Sequence, residues 1–187
     1  MVKRKQLDKT RIEDFFRNFD EELAAKNIQA SYLILGGAAL VMLEFIDRST
    51  EDIDVVQDGG NFDLMEEAAG KYGIEIDRVT QCTTVDFEEC AKEDIFSGKF
   101  LRIRSISPQD LLKSKIERFQ KQDPADVNAI LDNLKLKYAD FKSIFSEMSL
   151  VYVGNLDRLK TNARIVVERR FAEMVDDFYE TFPCSYD

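Results

Sequence analysis

The feature that most constrains this chain is an apolar run, Tyr32-Leu33-Ile34-Leu35, that stops at Gly36-Gly37 and continues as Ala38-Ala39-Leu40-Val41-Met42-Leu43. An unbroken apolar stretch of that length reads as a buried strand, and the Ala- and Leu-rich segment after it as a helix. The two glycines supply the backbone freedom of a sharp strand-to-helix turn. They also leave N–H groups unobstructed at a helix start, a position suited to an anion. The turn is neither the GxGxxG of a dinucleotide-binding fold nor a P-loop, because no Gly-Lys-Ser/Thr follows.

Other elements arrange themselves around this turn. Ile12, Phe15, Phe16, Phe19 and Leu23 recur at helical spacing and predict a helix over 11–26. Ile53 to Val56 reads as a second strand, Phe62 to Lys71 as a helix and Ile74 to Val79 as a third strand. Phe100 to Arg104 alternates as a half-buried strand should, while 88–94 stays open between helix and irregular chain. Ser107-Pro108-Gln109-Asp110 is a helix start with a hydroxyl cap, Pro at the first position and an acid at the third. Asp123-Pro124-Ala125-Asp126 repeats that logic, and a third helix follows from about Asp140. Asn155 is placed to cap one long last helix with the stripe Leu156, Leu159, Ala163, Val166, Val167, Met174 and Phe178. The expectation is an α/β (α+β) core over residues 1–106 and a helical part over 107–187 packed on it.

Composition removes several chemistries. The 187 residues contain no histidine, which excludes Ser-His-Asp and Cys-His catalysis and most zinc sites. Catalysis then rests on carboxylates, Lys, Arg, Ser or Tyr, or on a hard metal held by oxygen. Three cysteines without a CxxC pair fit a reducing compartment. No signal-peptide core follows the basic N-terminus, and the longest apolar stretch is short of the roughly 20 residues a bilayer needs. A cytoplasmic location is expected. The net charge of −10 opposes nucleic acid globally, so such a contact needs a local basic patch. Two candidates are Lys3, Arg4, Lys5, Lys9 and Arg11, and Arg158, Lys160, Arg164, Arg169 and Arg170; both also read as solvated helix faces and a frayed terminus.

The residues with chemistry follow the Gly-Gly turn. In Arg48-Ser49-Thr50-Glu51-Asp52-Ile53-Asp54-Val55-Val56, a strand puts Asp52 and Asp54 on one face and Ile53 and Val55 on the other. Neighbouring carboxylates repel unless a cation compensates, as Mg²⁺ does in an oxygen-rich site. The plainer alternative has Asp52 capping a turn and Asp54 solvated. In Ile74-Glu75-Ile76-Asp77-Arg78-Val79, Asp77 can join the pair if this strand lies beside the acidic one, with Glu75 as the reserve.

Taken in order, these pieces resemble the nucleotidyltransferase superfamily that includes DNA polymerase β. They look most like the small bacterial proteins related to AbiEii-type toxins. The matching residues are Gly36-Gly37, then Arg48, Thr50, Asp52, Ile53 and Asp54, then Ile76-Asp77 and Phe87-Glu88-Glu89-Cys90. Ile106-Ser107-Pro108-Gln109-Asp110-Leu111 follows, with Lys115, Arg118, Asp123 and Asp126. The resemblance covers about residues 30–131. Two departures stand out: Arg78 replaces an apolar residue after the third acid, and Ala38 replaces a hydroxyl residue after the second Gly.

The resemblance implies a nucleotidyltransferase-like mixed sheet with flanking helices. It implies transfer of an NMP from an NTP, with Asp52, Asp54 and Asp77 holding Mg²⁺ (or Mn²⁺) and Asp77 serving as base. Gly36 and Gly37 would meet the triphosphate, Lys115 would contact its phosphates, and Arg48, Thr50 and Asp126 would assist nucleotide binding. Lys115 also reads as a snorkelling surface lysine, and Asp126 as a capping-box acid. The acceptor stays open among tRNA, a protein hydroxyl and a small molecule, and a protein antitoxin is an expected partner type. The alternatives are a catalytically degenerate binding or regulatory module of the same fold, and an assembly protein built on the last helix.

Overall fold

The structure, a computed structural model, describes residues 6–185. It divides into two compact units, one running to Gln81 and resuming over Phe87–Ser107, the other made of Cys82–Asp86 and the chain from Pro108 onward.

The first unit contains α1 (Lys9–Lys26), β1 (Ala30–Leu35), α2 (Gly36–Met42), β2 (Asp52–Gln57), α3 (Phe62–Tyr72), β3 (Glu75–Arg78), β4 (Lys92–Ser97) and β5 (Leu101–Ile106). The strands form one mixed sheet in the order β3-β2-β1-β5-β4. β1 is antiparallel to β2 and parallel to β5, and β2 is parallel to β3. The apolar run is the central strand: Tyr32, Leu33 and Ile34 are completely buried. Asp8 caps α1 by accepting from the Arg11 N–H at 2.9 Å. One face of α1 then carries Phe15, Phe16 and Phe19, which meet Tyr72, Phe96 and Tyr32 with ring centroids 5.9, 5.6 and 6.0 Å apart.

β4 occupies part of the segment that sequence periodicity leaves open. It is an edge strand with mostly exposed or half-buried residues and an irregular register between Asp94 and Phe96. That irregularity breaks the period-two alternation by which a strand is recognised. The β4–β5 hairpin is tied down by Asp20, which accepts from the N–H groups of Lys99, Phe100 and Leu101 at 3.1, 2.7 and 2.7 Å. Partial burial raises the pKa of Asp20, but these backbone donors outweigh it and hold the carboxyl below its ordinary value.

The second unit comprises α4 (Pro108–Arg118), α5 (Asp123–Asn133), α6 (Tyr138–Val151), α7 (Leu156–Arg170), a 3₁₀ turn (Ala172–Met174) and α8 (Val175–Thr181). The expected single last helix is interrupted at Phe171, whose backbone leaves the helical region at φ −131° and ψ 48°. Met174 is therefore 44% exposed instead of continuing the stripe. The break lets α8 turn back, so that Phe178 packs on Phe145 at a tilt and Phe182 meets it edge-on, with ring centroids 5.3 and 4.9 Å away. Apolar contact outweighs helix continuity here. Asn155 caps α7 as expected, accepting from the Arg158 N–H.

Two carboxylates organise this unit. Glu117 on α4 accepts from the backbone N–H and hydroxyl of both Thr83 and Thr84, which binds the Cys82–Asp86 segment to the helices. Asp123 is the first residue of α5 and is no cap. It receives Lys115 Nζ at 2.9 Å, Arg118 Nη2 at 2.8 Å and the Gln120 N–H at 2.6 Å. Lys115 also pairs with Asp126 at 2.8 Å. All three of Lys115, Asp123 and Asp126 are at most 2% exposed. Burial raises the Asp123 pKa, but the Arg118 hydrogen bond and the Lys115 charge outweigh it and leave it lowered.

Much of the basic stripe on α7 is spent inside the unit. Arg158 donates to the Glu117 carbonyl, Lys160 to that of Pro183, and Arg164 stacks on Tyr179 at 4.0 Å, while Arg170 pairs with Asp132. In the first candidate patch, Lys9 pairs with Glu44 and Arg11 donates to the Tyr72 carbonyl. Lys3, Arg4 and Lys5 lie outside the described residues. All three cysteines are free thiols, and no helix among the described residues is long and apolar enough to cross a membrane.

Replacing Asp123 by Asn strands the buried Lys115 with one carboxylate, and is expected to cost about 3–5 kcal/mol in urea unfolding. Because the folded pKa of Asp123 is depressed, its contribution is complete above the unfolded carboxylate value. It is lost as pH falls through the lower folded value. The gap between wild type and Asp123→Asn should therefore be widest near neutral pH and close in acid.

Candidate active site

β2 pairs with β3 in parallel with Asp52 opposite Glu75 and Asp54 opposite Asp77. In-register neighbours in a sheet point to the same side, so four carboxylates share one face while Ile53 and Val55 are completely buried on the other. Asp77 is exposed, and Asp52, Asp54 and Glu75 are half-buried. The two acidic strands are thus direct neighbours, and both Asp77 and the reserve Glu75 lie on the acidic face. Like charges opposite one another cost about 0.2–1 kcal/mol per pair.

Arg78 follows the third acid but serves the other face. Its guanidinium bonds Glu66 at 2.5 and 2.7 Å and Asp63 at 2.8 Å, and lies 4.9 Å from the Phe62 ring centroid. Its charge is engaged by α3, on the side away from Asp77.

The Gly-Gly turn meets the acidic strand directly. Gly36 has φ +68°, and a Cβ at this position would overlap the Asp54 carboxylate. A Cβ on Gly37 would lie 2.7 Å from Thr50 Oγ1, with Arg48 Nη1 next beyond it. The room that the sequence reading assigns to a phosphate is, at its inner edge, room for Asp54 and Thr50. Thr50 is 7% exposed, and its Oγ1 donates to Asp52 Oδ1 over 3.4 Å. A two-way backbone bridge to Leu7 fixes it, at 2.7 and 3.0 Å. Leu7 gives no local sequence signal, because its role depends on a partner 43 positions away.

Gly36, Gly37, Arg48, Thr50, Asp52, Asp54 and Asp77 are therefore gathered on adjoining elements of the first unit. Lys115 and Asp126 belong to the second unit, where they bind each other. Lys115 is no snorkelling surface lysine, and Asp126 is no capping-box acid, because α5 begins at Asp123 and Ala125 holds its third position. Among the described residues no three carboxylates form a ready-made metal cage. The donor set is nevertheless all oxygen, as a hard divalent cation requires.

Gly36→Ala should be the most disruptive small change in this unit. It combines a left-handed backbone with overlap of Asp54, so a loss of about 1–3 kcal/mol is expected by denaturant unfolding. Gly70→Ala, on α3 with open space around its Cβ, should be neutral or stabilising.

No curated protein and no solved structure matches the chain. A family model described as "Nucleotidyltransferase of unknown function (DUF6036)" matches residues 11–178. The match spans all the elements that build the acidic face, and by it the chain belongs to this nucleotidyltransferase family.

Proposed function

We propose that the chain is a Mg²⁺-dependent nucleotidyltransferase that moves an NMP from an NTP to a hydroxyl acceptor. The observation that carries this reading is the in-register stacking of Asp52, Asp54 and Asp77 on one face beside Gly36. Asp52, Asp54 and Asp77 are the residues that would hold the divalent cation, Mg²⁺ or Mn²⁺. When bound, it offsets charge on the triphosphate and on the departing pyrophosphate.

Each protein group then has a distinct task. Thr50 orients Asp52 through its hydroxyl, and Gly36 lets Asp54 approach the turn. The open backbone at Gly36 and Gly37, with Arg48 nearby, receives the phosphates. Asp77, the most exposed of the three acids, takes the proton of the acceptor hydroxyl as its oxygen bonds the α-phosphorus and the bond to pyrophosphate breaks. Lys115 and Asp126 have a supporting part, holding α4 to α5 through their buried ion pair. The motif order resembling AbiEii-related proteins supports a toxin-type role with an antitoxin as partner, to be tested once an acceptor is in hand.

Calorimetric titration with each NTP, with and without Mg²⁺, tests the site. Wild type should bind an NTP only with the metal, and Asp52→Asn/Asp54→Asn should weaken that binding more than tenfold while its unfolding midpoint stays equal or rises, since like charges have been removed. Binding without turnover against RNA, protein and small-molecule acceptors would favour the regulatory module. No binding by folded wild type would defeat the proposal.

A further inference from the structure

The loop that leads from α2 into β2 is gripped at both ends by the chain around the start of α1. Near the loop's beginning, Lys9 pairs with Glu44. Near its end, Leu7 and Thr50 exchange both backbone hydrogen bonds, at 2.7 and 3.0 Å, as an isolated antiparallel bridge. Gln6 uses both ends of its amide on the neighbours of Thr50: its Nε2 donates to Glu51 at 3.3 Å, and its Oε1 accepts from the Ser49 hydroxyl. The Leu7 side chain is completely buried, while Gln6 is exposed. Asp8 then caps α1. The strap Gln6-Leu7-Asp8 therefore runs without a break into a helix whose Phe16 and Phe19 pack on Phe96 and Tyr32 of the sheet.

The side chain of Thr50 faces the acidic strand. A Cβ on Gly37 would lie 2.7 Å from Thr50 Oγ1, so the hydroxyl fills the space beside the glycine turn. The same oxygen reaches Asp52 Oδ1 over 3.4 Å, close to the limit of a hydrogen bond. A small shift of Thr50 away from Asp52 abolishes that bond, so the backbone position of Thr50 decides whether it is made. We infer that Leu7, seated by Gln6, is a positioning residue for the acidic face: its bridge holds Thr50 where the hydroxyl can orient Asp52 toward a divalent cation. The strap acts on Asp52 only through Thr50. Such a network is non-additive, because a constraint has an effect only while the group it constrains is present. This inference rests on the acidic face being the metal and nucleotide site.

The test measures Mn²⁺ affinity by water-proton relaxation and Mg²⁺–NTP affinity by calorimetry, at a temperature well below every unfolding midpoint. The proteins are wild type, Gln6→Ala, Leu7→Ala and Thr50→Val, with Thr50→Val also combined with each of the other two. Leu7→Ala and Thr50→Val should each weaken both affinities about threefold or more, the effect of one lost hydrogen bond. In the Thr50→Val background, Leu7→Ala should weaken binding no further. Gln6→Ala should weaken binding without moving the unfolding midpoint, because its side chain is exposed. If Leu7→Ala fails to fold, the cycle of Gln6→Ala with Thr50→Val decides alone. Wild-type affinity in the deciding strap variant overturns the inference. So does a loss that multiplies with that of Thr50→Val, since a strap with a purely structural role acts whether or not the hydroxyl is present. Wild type that binds Mn²⁺ but no Mg²⁺–NTP defeats the nucleotidyltransferase reading, while the Mn²⁺ cycle still judges the strap; wild type that binds neither defeats both.

Discussion

Everything on the acidic face depends on the in-register parallel pairing of β2 with β3. That pairing sets Asp52 against Glu75 and Asp54 against Asp77, an arrangement that electrostatics alone opposes. It is held by the opposite face, where Ile53 and Val55 are completely buried. A one-residue slip would turn those apolar side chains outward and the acids inward, at far greater cost than the repulsion. The hydrophobic core thus enforces a concentration of negative charge that a bound cation can then relieve.

Gly36 and Thr50 hold the acidic strand in place. The left-handed backbone of Gly36 leaves space that the Asp54 carboxylate occupies. Thr50, pinned by its bridge to Leu7, reaches Asp52 through its hydroxyl. A buried polar network of this kind fixes side-chain direction because each member constrains the next. The second unit uses the same principle in a more deeply buried setting, with Lys115 shared between Asp123 and Asp126. There the network joins two helices, and the lysine that looks like a phosphate ligand in the sequence is part of what keeps α4 against α5.

Local pattern carried the sequence reading wherever the physical cause was itself local. The alternation of Asp52-Ile53-Asp54-Val55, the apolar strand before Gly36-Gly37 and the cap at Asn155 all depend on residues within a few positions of one another. Reading failed where a distant contact decided the outcome. β4 forms because β5 pairs with it, although its own alternation is broken near Asp94. The last helix breaks at Phe171 because Phe178 and Phe182 reach Phe145 by turning back. Asp123 has the spacing of a cap, yet its carboxylate is drawn to Lys115 and Arg118.

By itself the sequence determined the element types around the acids, the same-face placement of Asp52 and Asp54, and the exclusion of histidine chemistry, since each follows from backbone periodicity or composition. Only the tertiary structure decided that Asp77 stands opposite Asp54 and that Gly36 makes way for a carboxylate. Those facts depend on which strands become neighbours and in what register. That choice is made by burial of apolar surface across the whole sheet, and no short stretch of sequence contains it.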